Sequence, residues 1–187
     1  MKKNYAIIIL LFAQSVINAQ SFSWFQSPNI SASTNPNLIN YPSASDNQGN
    51  TFVCGYKDTP FSYNRIQSNL LLTKYNSTGN ILFSKTLSGD LHAHKLLTDN
   101  DGNLYLAIDY LTNISIDNFS ITSTLLTENP LLVKFSPNGD YIWHKIIPGE
   151  FTNHFTAIAF DSNQNLYIGY DDYNNSYIEK IDKNNSV

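Results

Sequence analysis

One short pattern recurs along this chain and leaves few folds open to it. Asp46-Asn47-Gln48-Gly49-Asn50 runs into Thr51-Phe52-Val53, Asp99-Asn100-Asp101-Gly102-Asn103 into Leu104-Tyr105-Leu106, and Asp161-Ser162-Asn163-Gln164-Asn165 into Leu166-Tyr167-Ile168. The opening aspartates are 53 and 62 residues apart. A second pattern interleaves with the first. Lys74-Tyr75-Asn76-Ser77-Thr78-Gly79-Asn80-Ile81-Leu82-Phe83-Ser84-Lys85 matches Lys134-Phe135-Ser136-Pro137-Asn138-Gly139-Asp140-Tyr141-Ile142-Trp143-His144-Lys145, and a further copy begins at Lys180-Ile181-Asp182-Lys183-Asn184-Asn185. Phe22-Ser23-Trp24-Phe25 carries a fragment of it, so that Trp24, Phe83 and Trp143 fall 59 and 60 residues apart. Self-similarity at such a period is the signature of a repeat architecture.

Each pattern has a local physical meaning. Apolar residues alternate on both sides of a short turn rich in Asn, Asp and Gly, the residues that tolerate positive φ and bond to their own backbone. Leu104, Leu106 and Ile108 lie on one face, Tyr105 and Ala107 on the other, which is strand periodicity. The spacing predicts strands near 38–45, 50–56, 68–75 and 80–87 in a first unit and near 91–98, 103–109, 130–136 and 140–147 in a second. A third unit has 154–160, 165–171 and 176–181 and lacks its last strand. The expected fold class is all-β. Four-stranded antiparallel units of this length, repeated, describe β-propeller blades, here about 38–87, 91–147 and 154–187. A β-sandwich is the main rival, but it does not need so regular a repeat.

The combination of Asp-x-x-Gly-Asn before an aromatic strand with Lys-aromatic-x-x-x-Gly-Asn-x-x-(Trp/Phe)-x-Lys resembles the bacterial β-propeller repeat often called SBBP, over most of residues 38–187. Ile114-Ser115-Ile116-Asp117-Asn118-Phe119-Ser120-Ile121 resembles the variable hairpin-like insert of that family between its second and third strands. The chain departs from the pattern at Gln164, where glycine is usual, and in the very short insert Asp172-Tyr173-Asn174-Asn175. The resemblance implies an exported protein of a bacterial envelope. A propeller ring usually needs 4–8 blades, so about three imply an incomplete propeller. Trp24 is placed to complete the last blade. A truncated product and a homo-oligomer that closes one ring are the two expectations for the remainder.

The N-terminus supports export independently. Met1-Lys2-Lys3-Asn4 precedes the apolar run Tyr5 to Ala13, and Gln14-Ser15-Val16-Ile17-Asn18-Ala19 comes next. A charged start, a short apolar core and a small exit residue make a secretory signal peptide, expected at 1–19 with cleavage after Ala19. Residues 20–187 then form the repeat region, secreted or at the cell surface, with no transmembrane segment after cleavage. The net charge is −4, from 11 basic and 15 acidic residues. With no basic stripe, no nucleic-acid partner is expected.

Chemistry-bearing residues are few. Cys54 is the only cysteine and reads as a small buried strand residue. Asp99, Asp101 and Asn103 resemble a calcium loop, but glycine comes too early at Gly102 and no glutamate stands at the proper distance, so a hairpin turn explains them. His92 and His94 share a strand face and could begin a metal site. His154 recurs at the place of His92, which favours a packing or surface role. Asp171-Asp172 reads as a solvated turn, and the acceptor tripeptides at Asn76 and Asn113 as chance matches. No catalytic, cofactor or metal site is therefore expected. The function expected is a non-catalytic binding or scaffold module with an unknown protein or glycan ligand. The alternative is a fragment of a propeller hydrolase or lyase acting on extracellular polymers.

Overall fold

A computed structural model describes residues 42–57, 69–123, 128–147, 154–171 and 175–183. The expected signal peptide, the Trp24 strand and residues 38–41 of the first expected strand lie outside them. Among the described residues the fold is all-β and antiparallel, with no helix, and hence none long and apolar enough to cross a membrane. Eleven strands form: β1 (Ser43–Ser45), β2 (Thr51–Tyr56), β3 (Leu70–Tyr75), β4 (Ile81–Thr98), β5 (Leu104–Ile116), β6 (Phe119–Thr122), β7 (Asn129–Phe135), β8 (Tyr141–Ile146), β9 (His154–Phe160), β10 (Leu166–Asp171) and β11 (Ser176–Ile181).

The turns explain where the strands begin. Asp99 Oδ1 accepts the amides of Asp101 at 3.1 Å and Asn103 at 2.8 Å, while Asn103 Nδ2 donates to Asp99 Oδ2 at 2.8 Å. Asp46 and Asp161 accept the equivalent three bonds from Gln48 and Asn50 and from Asn163 and Asn165, at 2.8–3.0 Å. Asn76 and Ser136 replace the aspartate in the second pattern and still accept the amides two and four residues on. A local acceptor thus takes donors that would otherwise bond to water, and so favours the turn over other conformations. The fourth residue of each turn has positive φ: Gly49 79°, Gly79 84°, Gly102 79°, Gly139 88° and Gln164 66°. Gln164 holds the left-handed region at a cost that glycine avoids.

Hydrogen bonding links eight strands along β1-β2-β3-β4-β5-β7-β8, with β6 attached to β5, and β9 to β11 form a separate sheet in the order β11-β10-β9. One strand changes partners midway. Leu70 to Tyr75 of β3 pair with β4 only as far as Leu87, and Ser88 to Thr98 of β4 pair with β5. The separate strands expected at 80–87 and 91–98 are therefore one continuous strand, with Gly89 at φ 148° at the change. A Cβ there would run into the Asn113 carbonyl oxygen, so only glycine fits. The result is two four-stranded meanders joined through β4, with a three-stranded one after them. β5 runs on past the expected end at 109 to Ile116, and its tip pairs with β6 across Asp117-Asn118. The stretch 114–121 is thus a hairpin.

With the two halves of the eight-stranded sheet, which part at β4, counted as a first and a middle sheet, three sheets stack with two apolar layers between them. Phe52, Cys54 and Leu72 of the first sheet meet Leu106, Ile108 and Val133 of the middle one. Tyr105, Ala107 and Leu132, on the other face of the middle sheet, meet Phe155, Leu166 and Ile168 of the third. The alternation expected in β5 is observed. Each fully buried aliphatic side chain stabilises the stack by roughly 1.5–3 kcal/mol. Cys54 is buried, and desolvation pushes its thiol up to about 12, so it packs and does not react.

Bulges repeat as faithfully as turns. The register steps from Lys74↔Phe83 to Tyr75↔Ile81 and from Lys134↔Trp143 to Phe135↔Tyr141. Leu82 and Ile142 are the extra residues, turned outward at 53% and 45% exposure. A bulge shifts which face the neighbouring side chains take, which accounts for two large apolar residues in water.

Candidate functional site

Two features stand apart from plain sheet packing. The first is an ion pair that recurs on the turn side of the sheets. Lys74 Nζ lies 3.2 Å from Asp46 Oδ2 with both side chains buried, and 4.6 Å from the Phe52 ring centroid. Lys134 repeats this with Asp99 at 3.5 Å and Tyr105 at 4.8 Å. Desolvation works to raise the Asp46 carboxyl. Hydrogen bonds from Asn50, Lys74 and Gln48 outweigh it and hold the group below its ordinary 3.8. Lys74 also donates to the Pro137 carbonyl at 3.0 Å, and Lys85 to the Gly139 carbonyl, both in the next turn along the stack. Asn47 Nδ2 donates to Asn100 Oδ1 at 3.5 Å and the Asn100 amide to Gln164 Oε1 at 2.9 Å, so the three aspartate turns sit side by side. In the calcium-like set the Asp99 carboxylate is already turn acceptor and ion-pair partner, Asn103 donates to it, and Asp101 contributes its backbone amide.

The second feature is a polar cluster in the layer between the middle and third sheets. Asp109 is 1% exposed, on the β5 face that also carries Tyr105 and Ala107. His94 Nε2 lies 2.6 Å from Asp109 Oδ2. His92 pairs in register with Asp109, and its ring centroid is 4.4 Å from that of His94. The ligand atoms of His92, His94 and Asp109 all lie within 4.8 Å of one another. The His94 ring also faces Phe155 of β9 at 6.3 Å.

The local cause of this meeting is a bulge. The register steps from Ala93↔Ile108 to Lys95↔Ala107, which leaves His94 as the extra residue. Bulges re-aim side chains, and here the extra residue turns toward the acid on the neighbouring strand. The third sheet has the same irregularity, between Ala157↔Gly169 and Phe155↔Tyr170, with Thr156 as the extra residue. His154 and Asp171 pair in register there, as His92 and Asp109 do in the middle sheet.

The sequence brought His92 and His94 together but missed Asp109. A signal was present: Asp109 interrupts an apolar run ten residues after Asp99, and Asp171 stands ten residues after Asp161. The solvated turn expected at Asp171 is not what forms: Asp171 ends β10, and its Oδ1 is buried without a hydrogen-bond partner among the described residues. Asp172 lies outside them.

A smaller surface feature lies beside the β5–β6 hairpin. Phe119 stacks on Tyr141 at 4.9 Å and 4°, and the Tyr141 hydroxyl is 2.7 Å from His144 Nδ1. Desolvation lowers the His144 pKa from its ordinary 6.5, which favours the neutral ring. Asp117, Asn118 and Asp140 complete an open groove with these two aromatic rings. No family model and no curated protein matches the chain.

Proposed function

We propose that the chain is a run of propeller-type blades of the SBBP kind, exported through residues 1–19 and serving outside the cytoplasm as a non-catalytic binding or scaffold module. The observation that carries the reading is the lateral row of three aspartate turns with one hydrogen-bond pattern. Each sheet presents equivalent residues to the next: Phe52 faces forward from the first and Tyr105 from the middle. Head-to-tail stacking of one surface on another of the same kind is how blades succeed each other around a ring. Further units, or a second copy, would then cover the outer face of β11.

Rigid sheets leave recognition to the loops they hold. The groove beside Phe119 and Tyr141 offers ring edges with the Asp117 and Asp140 carboxylates and the Asn118 amide, a combination suited to a glycan. The test is a panel of envelope polysaccharides presented to the exported chain, with product release assayed in parallel. Saturable binding without turnover, weakened in Tyr141→Ala, is expected. A blank panel together with hydrolysis of one polymer would overturn the reading in favour of an enzyme fragment. N-terminal sequencing of the secreted chain should begin at Gln20; recovery only of intact Met1 chain from the cytoplasm removes the export part.

A further inference from the structure

We propose that His92, His94 and Asp109 form a binding site for a divalent transition-metal ion of the zinc class. The donor set points to that class. Two imidazole nitrogens and one carboxylate suit zinc and its neighbours, whereas calcium and magnesium prefer oxygen throughout.

The geometry is close to what such an ion needs. Metal–ligand bonds of about 2.0–2.2 Å in a tetrahedral site place ligand atoms about 3.3–3.6 Å apart. The three ligand atoms here already fall within 4.8 Å of one another. His94 and Asp109, 2.6 Å apart, need to part by ~1 Å or less, and His92 needs to close by up to ~1.5 Å. Side-chain rotation supplies such shifts without moving the strands. Both rings are half-buried and so reachable from solvent, while Asp109 is anchored in the sheet.

Two further points favour a site over ordinary packing. A carboxylate inside an apolar layer is costly unless an ion or hydrogen bonds offset its desolvation. His94 Nε2 lies 2.6 Å from that carboxylate, and His92 brings a second imidazole to the same cluster. The equivalent bulge in the third sheet carries Thr156 in place of His94, so the bulge belongs to the repeat and the paired imidazoles belong to the middle sheet alone among the described residues.

The test uses the full chain without a histidine tag, treated with EDTA, dialysed and titrated with zinc chloride in a calorimeter. One equivalent should bind saturably and raise the melting temperature. His92→Ala is the primary variant, because its ring lies outside the 2.6 Å contact and its loss leaves that contact in place. Its affinity should fall by at least the roughly 10–100-fold that loss of even an outer supporting partner costs a metal site. His94→Ala should do the same, and His144→Ala should bind as wild type does. Far-UV circular dichroism establishes that each variant is folded. Cobalt gives a second readout: the visible absorption of four-coordinate Co2+ should appear in wild type and vanish in His92→Ala. Folded wild type that takes up no zinc overturns the proposal. So does zinc or cobalt binding of equal strength in wild type and in the His92→Ala/His94→Ala double variant.

Discussion

The middle and third sheets are built alike and housed differently. Both join their first two strands by an aspartate turn with the same three hydrogen bonds, and both carry a bulge at the same place in their first strand. The middle sheet is covered on both faces, so Ala107 and Leu132 are fully buried. Gly169 and Ile178 hold the equivalent positions in the third sheet, and Ile178 is 83% exposed. The ion pair shows the same gradient. Lys134 reaches Asp99 over Tyr105, whereas Lys180 pairs with exposed Asp182 at 2.8 Å. A repeated motif therefore fixes local conformation, while the energy that motif delivers depends on what lies against it.

The largest expected effect probes the buried end of that gradient. Asp46→Ala removes the carboxylate partner of the Lys74 ammonium, 5% exposed at its side chain, which keeps the Pro137 carbonyl, and should destabilise the chain by about 3 kcal/mol in urea denaturation, the low end of the usual cost of breaking a buried pair. The same substitution at Asp161 should cost clearly less, and equal losses would break the comparison. The two aliphatic equivalents come next. Leu132→Ala should cost about 2–5 kcal/mol, and Ile178→Ala should stay within about 0.5 kcal/mol. A large loss at Ile178 would mean that the third sheet is covered in solution.

Turn geometry gives smaller differences. Gly102→Ala forces a Cβ into φ 79° and should lower stability by about 1–2 kcal/mol. Gln164→Gly relieves the same strain in the third sheet and should raise stability by up to about 1 kcal/mol, unless loss of the bond to the Asn100 amide cancels the gain. Thermal melts of the two variants would separate these contributions. The smallest expected effect is a pH slope. His144 has a folded pKa below its ordinary 6.5, so the folded state binds fewer protons than the unfolded one in that window. Its contribution is complete above pH 6.5 and is lost as pH falls toward the folded value. His144→Gln should flatten the stability profile there, and an unchanged profile would show that the ring titrates normally.

Much of the fold was legible before any coordinates. The strands expected at 50–56, 103–109 and 165–171 match β2, the first half of β5 and β10 nearly residue for residue. The opposite facing of Leu106 and Ala107 also holds. The illegible part depends on distant partners. The fusion of two expected strands into β4 turns on Gly89 passing under the Asn113 carbonyl, a contact between residues on different strands. The meeting of Asp109 with His92 and His94 needs both a cross-strand register and the bulge that aims His94. Nothing within a few residues of either histidine announces it.

By itself the sequence determined the turns and the alternation of faces. A carboxylate that bonds amides two and four residues ahead of it, and a glycine where φ is positive, act within five residues and need no other part of the chain. Only the tertiary structure decided which of two equally apolar faces became interior, where one strand passed from one sheet to the next, and which polar groups met between sheets. Burial and cross-strand approach are properties of surfaces brought together, and identical repeats acquire different values of them according to what each is stacked upon.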